Sequence, residues 1–254
     1  MNDLLSLPAE ISPIIALALC AASFFTSGFT AAFGIGGGVA LLGLMGFLLP
    51  VGVLIPVHGI VQLGSNTGRA LVQRHHVRWP VLAIFLAGAV VGALLGVRFV
   101  VELDDALLKI LLGAFILVTV WLKLPALQKA GWPTFVFGGF ATTFVSMFVG
   151  ATGPLVITLF EKLFAERRQV VATNAAAMVV QHGLKVAAFA FAGFAFAQWL
   201  PLLAAMIAAG FAGTLAGSRL LNAMPEASFR TGFRLVMTLL ALLMIARGVA
   251  VALG

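Results

Sequence analysis

His58, Gln62, Asn66 and Arg69 recur at i, i+4, i+8 and i+11 in an otherwise apolar stretch, so on a helix they share one face. A second stretch repeats the spacing with Asn174, His182 and Lys185, with Met178 in place of the glutamine and Gln181 alongside. These side chains offer hydrogen-bond donors and positive charge. Exposing Arg69 or Lys185 to lipid near mid-bilayer would cost about 2.5–3.5 kcal/mol or more, so both faces are expected to look inward, toward protein or water. No carboxylate lies deep in an apolar run: Glu161 and Glu166 fall in a loop, and Glu102, Asp104, Asp105 and Glu226 between runs. Buried donors without buried acids favour an anion and oppose a carboxylate-based cation or metal site.

Each polar stripe follows a glycine break. The first reads Gly34-Ile35-Gly36-Gly37-Gly38, and the second, at the matching place, Gly150-Ala151-Thr152-Gly153-Pro154. Glycine costs roughly 1 kcal/mol relative to alanine inside a helix. What it offers is free backbone N–H and close approach to the main chain. Helices restarting at Val39 and at Pro154 would aim their positive dipole ends at the break, where an anion is favoured. The predicted binding residues are therefore Gly36, Gly37, Gly38, Gln62, Asn66 and Arg69 in the first half, and Thr152, Gly153, Asn174, Gln181, His182 and Lys185 in the second. A plainer role stands beside each. The glycines can serve close packing, Arg69 can snorkel toward Arg74 and Arg78, His58 can cap or face the interface, and His182 can be a proton-responsive or a neutral hydrogen-bonding residue. The amides can simply join helices, at about 0.6 kcal/mol per bond.

The elements that must hold these residues are membrane helices. Of the 254 residues 62% are hydrophobic and 9% charged, with a mean hydropathy of +1.16. Many apolar runs reach the ~20 residues a spanning helix needs, and none alternates as a barrel strand would. The net charge of +7 sits singly or in short clusters between runs, which reads as topogenic charge and not as a nucleic-acid surface. Asp3 and Glu10 precede the first run without any Lys or Arg, so that run is expected to be retained and not cleaved as a signal. Cys20 is the single cysteine, which leaves no intrachain disulfide.

The apolar runs lie near 12–49, 54–74, 79–100, 105–123, 133–164, 170–192, 195–218 and 228–251. Trp79, Trp121, Trp132 and Trp199 stand at run ends, the expected headgroup anchors. Gly92 to Arg98 resembles Gly213 to Arg219, and Lys109 matches Arg230 at the same offset. A duplicated four-segment unit, 1–125 and 126–254, follows, forming one integral membrane domain. The pairs Gly92/Gly96 and Gly213/Gly217 read as close helix packing.

Charge decides the orientation of the units. If each broken segment crosses once, the basic residues outside the stripes divide five against eight. If each is a hairpin that returns to its own side, the units are inverted and the division becomes ten against three. The positive-inside rule selects the second arrangement. Length agrees, because residues 12–49 as one helix would run about 57 Å, far beyond a ~30 Å core. The expected fold is thus an all-α polytopic membrane protein of two inverted repeats, each opening with a glycine-broken helical hairpin, and both termini outside.

The glycine box Gly34–Gly38, its partner Gly150–Pro154, and the following Asn66-x-x-Arg69 and His182-x-x-Lys185 resemble the sulfite exporter TauE/SafE family of membrane permeases. The resemblance implies transport of a small anion, such as sulfite, a sulfonate or a related organosulfur or carboxylate compound, across a bacterial cytoplasmic membrane. Thr152 in place of Gly36 and Pro154 in place of Gly38 mark unequal halves. Broken helices in matching places also point to a secondary transporter working by alternating access. A passive anion channel is the alternative. An intramembrane enzyme lacks the nucleophile–base or ligand pairs it would need, and a scaffold leaves the buried cations unexplained. No cofactor and no nucleic-acid partner are expected. The partners are a small anion and the lipid bilayer, and a homo-oligomer is admitted.

Overall fold

A computed structural model describes residues 11–33, 36–100, 104–121, 131–161, 163–164, 166–220 and 226–253. Gly34, Ile35, Asp3, Glu10, Glu102, Lys123, Lys129 and Lys162 lie outside them, as do the side chains of Arg167, Arg219, Glu226 and Arg230. Among the described residues ten α-helices follow one another: α1 (Pro13–Phe33), α2 (Gly37–Leu48), α3 (Val51–Val72), α4 (Trp79–Val100), α5 (Asp105–Trp121), α6 (Trp132–Val149), α7 (Gly153–Phe160), α8 (Arg167–Phe191), α9 (Leu200–Leu220) and α10 (Glu226–Leu253).

Among the described residues four helical stretches are long and apolar enough to cross a membrane: Pro13–Ala31, Trp79–Val100, Trp132–Val149 and Phe196–Gly217. Helices α3 and α8 have the length, at 22 and 25 residues, but their polar stripes dilute the hydropathy. Outward-facing Leu94, Phe211 and Leu239 are exposed, the apolar surface that hydrocarbon covers.

Both broken segments reverse direction. The start of α2 returns along α1, where a Cβ on Gly37 would stand 2.0 Å from the Thr26 carbonyl oxygen. Likewise α7 returns along α6, with Leu159 against Gly138. At 12 and 8 residues, α2 and α7 span about 18 and 12 Å, too short to cross. Helix α2 is wrapped by protein, and Leu41, Leu42 and Met45 have no exposed surface.

The remaining contacts are made by pairs. Helices α4 and α6 run side by side in the same direction, with Gly88 on Val136, Gly92 on Phe140 and Gly96 on Met147. Helices α1 and α9 do the same, with Gly213 on Phe24 and Gly217 on Gly28. The expected packing role of Gly92, Gly96, Gly213 and Gly217 is what these contacts carry. Helices α3 and α8 cross antiparallel, Gly59 meeting Lys185 and Gly64 meeting α9 at Ile207. Helices α5 and α10 are also antiparallel: Gly113 abuts Ala241, and Trp121 Nε1 donates to Thr238 Oγ1 at 2.8 Å.

Local signals fix several ends. Asp104 Oδ1 accepts from the Leu107 N–H at 2.7 Å, so this residue caps α5. Asp105 pairs with Lys109 one turn on. Pro133 and Pro154 stand in the first turns of α6 and α7, where a missing N–H is harmless. One anchor differs from expectation. Trp79, Trp121 and Trp132 are exposed at helix ends, but Trp199 is 1% exposed. It stacks on Phe194 at 6.4 Å and belongs to the core, because the short 3-10 turn before α9 folds it under the helix ends.

Candidate functional site

The two glycine breaks and the two polar helices meet. A cavity of about 50 Å³ is lined by Gly36, Gly38 and Val39 at the start of α2, and by Ala151, Gly153 and Pro154 at the start of α7. From α3 come His58, Gln62, Asn66 and Arg69; from α8 come Asn174, Met178 and His182, and α1 adds Thr30. One water needs ~10–15 Å³ on this measure, so the space suits an ion of a few heavy atoms. Among the described residues, its lining contains no Asp or Glu.

Backbone geometry builds the two turns differently. Gly36 has φ 104, and α2 begins at Gly37, two residues before the expected Val39. The first ladder bond of α2 runs from Ala40 N–H to Gly36 O, so the N–H groups of Gly37, Gly38 and Val39 precede the ladder and have no intrahelical acceptor. In the other half the left-handed residue is Gly150, φ 77, while Thr152 has φ −102. Thr152 lies outside the left-handed region, so position 152 does not need the glycine that position 36 needs. Gly37 lies against α1 and does not line the cavity. The missing side chain there admits the Thr26 carbonyl, a packing role.

The first polar helix is bonded along itself. Asn66 Nδ2 donates to the Gln62 carbonyl oxygen at 2.8 Å, and Arg69 Nη1 donates to Asn66 Oδ1 at 3.4 Å. Arg69 therefore turns toward the cavity. His58 Nε2 donates to Gly38 O at 2.9 Å, tying α3 to the first turn. His58 is fully buried and central to the cavity, where the interface role open to it in the sequence does not apply. The signal was present in its register with Gln62 and Asn66.

The second polar helix behaves differently. Gln181 and Thr152 do not line the cavity: Thr152 Oγ1 donates to Gln181 Oε1 at 2.8 Å, and Gln181 Nε2 donates to Thr142 Oγ1 at 2.7 Å and Thr143 Oγ1 at 3.0 Å. Thr142 and Thr143, buried on α6, give no sign of this role in sequence. Lys185 is also off the lining. Its Nζ donates to Gly150 O at 2.6 Å, its stem packs on Gly59, and it has no exposed surface. Among the described residues Gly150 O is the one acceptor it reaches. Lys185 and His58 thus perform the same task in opposite halves, each holding a turn by a carbonyl.

Three buried polar atoms on cavity-lining side chains lack partners: His58 Nδ1, His182 Nδ1 and Asn174 Oδ1. The His58 and His182 rings stand 6.0 Å apart, edge to face. A buried polar atom without a partner is costly, and three around one cavity indicate a polar occupant.

Gln181 has a measurable structural role. Replacing it with leucine removes three buried side-chain hydrogen bonds and leaves Thr143 and Thr152 hydroxyls unpaired. At about 1–3 kcal/mol for such groups, Gln181→Leu should lower the unfolding temperature in detergent by several degrees; an unchanged melting curve would contradict it.

A larger chamber of about 520 Å³ lies between α1, α3 and α9 and shares Thr30 and Arg69 with the small cavity. It reaches Val72 and Gln73 at the end of α3. On its α3 wall stand the small residues Gly64, Ser65 and Gly68.

Comparison with known proteins agrees in direction. Residues 19–244 match the model of the family described as sulfite exporter TauE/SafE. The chain is 30% identical over 184 residues to the probable inner membrane transporter protein TsaS of Comamonas testosteroni, covering 68% of this chain and 72% of that protein. No solved structure matches. With the family model matching nearly end to end and a relative described as a probable inner membrane transporter, the chain belongs to the TauE/SafE family of membrane transporters.

Proposed function

We propose that this protein is a carrier of a small anion (sulfite, a sulfonate or a related carboxylate) across the bacterial inner membrane by alternating access. One observation carries the reading: the two glycine turns face each other across a small cavity ringed by donors and Arg69, with no acid in its described lining. Helix N-termini and a guanidinium suit a compact anion.

The carrier is built as two inverted repeats, 1–125 and 126–254. The antiparallel crossing of α3 with α8 supports this, since parallel repeats would run them in one direction. So does the exchange of partners, α4 with α6 and α1 with α9, which a two-fold axis in the membrane plane would generate. In that frame Arg69 lies toward the cytoplasmic side and Lys185 toward the outer side. The chamber ending beside Arg74 and Arg78 is then an inward vestibule, and the Gln181 cluster with Lys185 is the outward closure. A sealed far side favours a carrier over a channel, which needs a continuous pore.

The decisive experiment is reconstitution of the full chain in proteoliposomes with sulfite, methanesulfonate and acetate on one side. Accumulation of at least one of them above its equilibrium level under an imposed gradient is expected. Strictly downhill flux with channel-like rates would replace the carrier with a channel, and no flux of any anion would end the proposal.

A further inference from the structure

We infer that each anion crosses with a proton, and that His58 carries it. The inference rests on the anion-carrier reading above and adds the coupling ion. Its basis is the hydrogen bond from His58 to the first turn. A carbonyl oxygen only accepts, so the 2.9 Å contact with Gly38 O requires the hydrogen to be on His58 Nε2. In the neutral ring, Nδ1 then carries a lone pair and no hydrogen. That lone pair repels an anion. Nδ1 becomes a donor only when the ring holds a second proton, so an anion seated against it arrives with that proton bound.

The surroundings tie a second proton on His58 to the anion. His58 is fully buried, its Nδ1 has no partner, and it lines the cavity. The titratable groups around it are all basic: His182 faces it from α8, Lys185 of α8 packs on the adjoining Gly59, and Arg69 lines the same cavity further along α3. Helix α2 presents the Gly38 carbonyl, and the described cavity lining from α1 and α7 brings no charged side chain. With no described carboxylate in the lining, the counter-charge for a protonated imidazole is the transported anion itself. Proton and anion therefore load together and leave together, and linkage makes the dependence mutual: the anion favours proton uptake as much as the proton favours the anion. The proton enters from bulk water on one side, resides on Nδ1, and returns to bulk water on the other. No bond other than N–H is made or broken. Moving one positive and one negative charge together is electroneutral for a monovalent anion, which spares the carrier the cost of crossing with net charge.

The test uses the full chain in proteoliposomes with an internal pH dye, and methanesulfonate as the probe because it does not itself titrate near neutrality. Inward methanesulfonate flux should acidify the lumen with about one proton per anion, at a rate insensitive to a potassium–valinomycin potential. In His58→Gln the amide still donates to Gly38 O but cannot take a second proton. Its slower flux should lose the proton signal by at least tenfold and become sensitive to potential. His182→Gln should slow the flux yet retain the one-to-one stoichiometry. Wild-type methanesulfonate entry without protons would overturn the inference even if the variant failed to fold, as would an unchanged proton signal in His58→Gln. If acetate, sulfite and methanesulfonate all fail to move, the carrier reading falls first.

Discussion

Lys185→Met should lower anion flux roughly 30-fold or more while the protein still inserts and folds. Methionine nearly preserves the aliphatic stem that packs on Gly59, so the change removes charge and a donor with little loss of volume. What disappears is the 2.6 Å bond from Nζ to Gly150 O, and with it the fastening of the second turn beside the cavity. A hydrogen bond made by a charged group is worth about 1.5–3 kcal/mol, and each 1.4 kcal/mol is a factor of ten. Stability changes little, because removing an uncompensated buried cation offsets the carbonyl left without its donor. Reconstituted flux and a detergent melting curve, measured on the same preparation, separate the two. Wild-type flux in the variant would show that Lys185 only fills space.

Gly213→Leu should instead remove the protein itself. A Cβ at position 213 would stand 1.9 Å from the Phe24 carbonyl oxygen, and the obstacle is backbone, which cannot rotate aside. Helices α1 and α9 would have to separate along their length, at a cost above the 1–3 kcal/mol of ordinary overpacking. Gly92→Leu is expected to do the same to α4 and α6, where a Cβ would stand 2.4 Å from the Phe140 carbonyl oxygen. Gly68→Ala is the control, since nothing lies within 4 Å of a Cβ there. Membrane-fraction yield and melting temperature check the set: both leucine variants fall far below wild type, and Gly68→Ala stays level. Normal yield of Gly213→Leu would mean that α1 and α9 do not pack in this way.

The contrast between these two predictions follows from which residues lipid constrains. A cation in an apolar run must face inward wherever the helix lies, because the alternative is hydrocarbon. Arg69 and Lys185 were therefore legible as inward-facing, and the glycine breaks as reversals, since a helix through residues 12–49 would overshoot the bilayer. What each inward group touches was not legible. His58 and Lys185 exchanged their expected prominence, the histidine lining the cavity and the lysine bonding a turn. Trp199 left the interface for the core. Thr142 and Thr143 gained a partner in Gln181 that no spacing announced.

Local chemistry and length are properties of a single segment, and the chain alone determined them: membrane helices, two glycine reversals, donor-rich faces without buried acids, and close packing at Gly92, Gly96, Gly213 and Gly217. Which carbonyl each cation meets, which orphaned nitrogens surround one cavity, and how Gln181 comes to join Thr142, Thr143 and Thr152 depend on contacts between segments far apart in sequence. Only the tertiary structure decided those, because the distance between two helices is set by every side chain that packs between them.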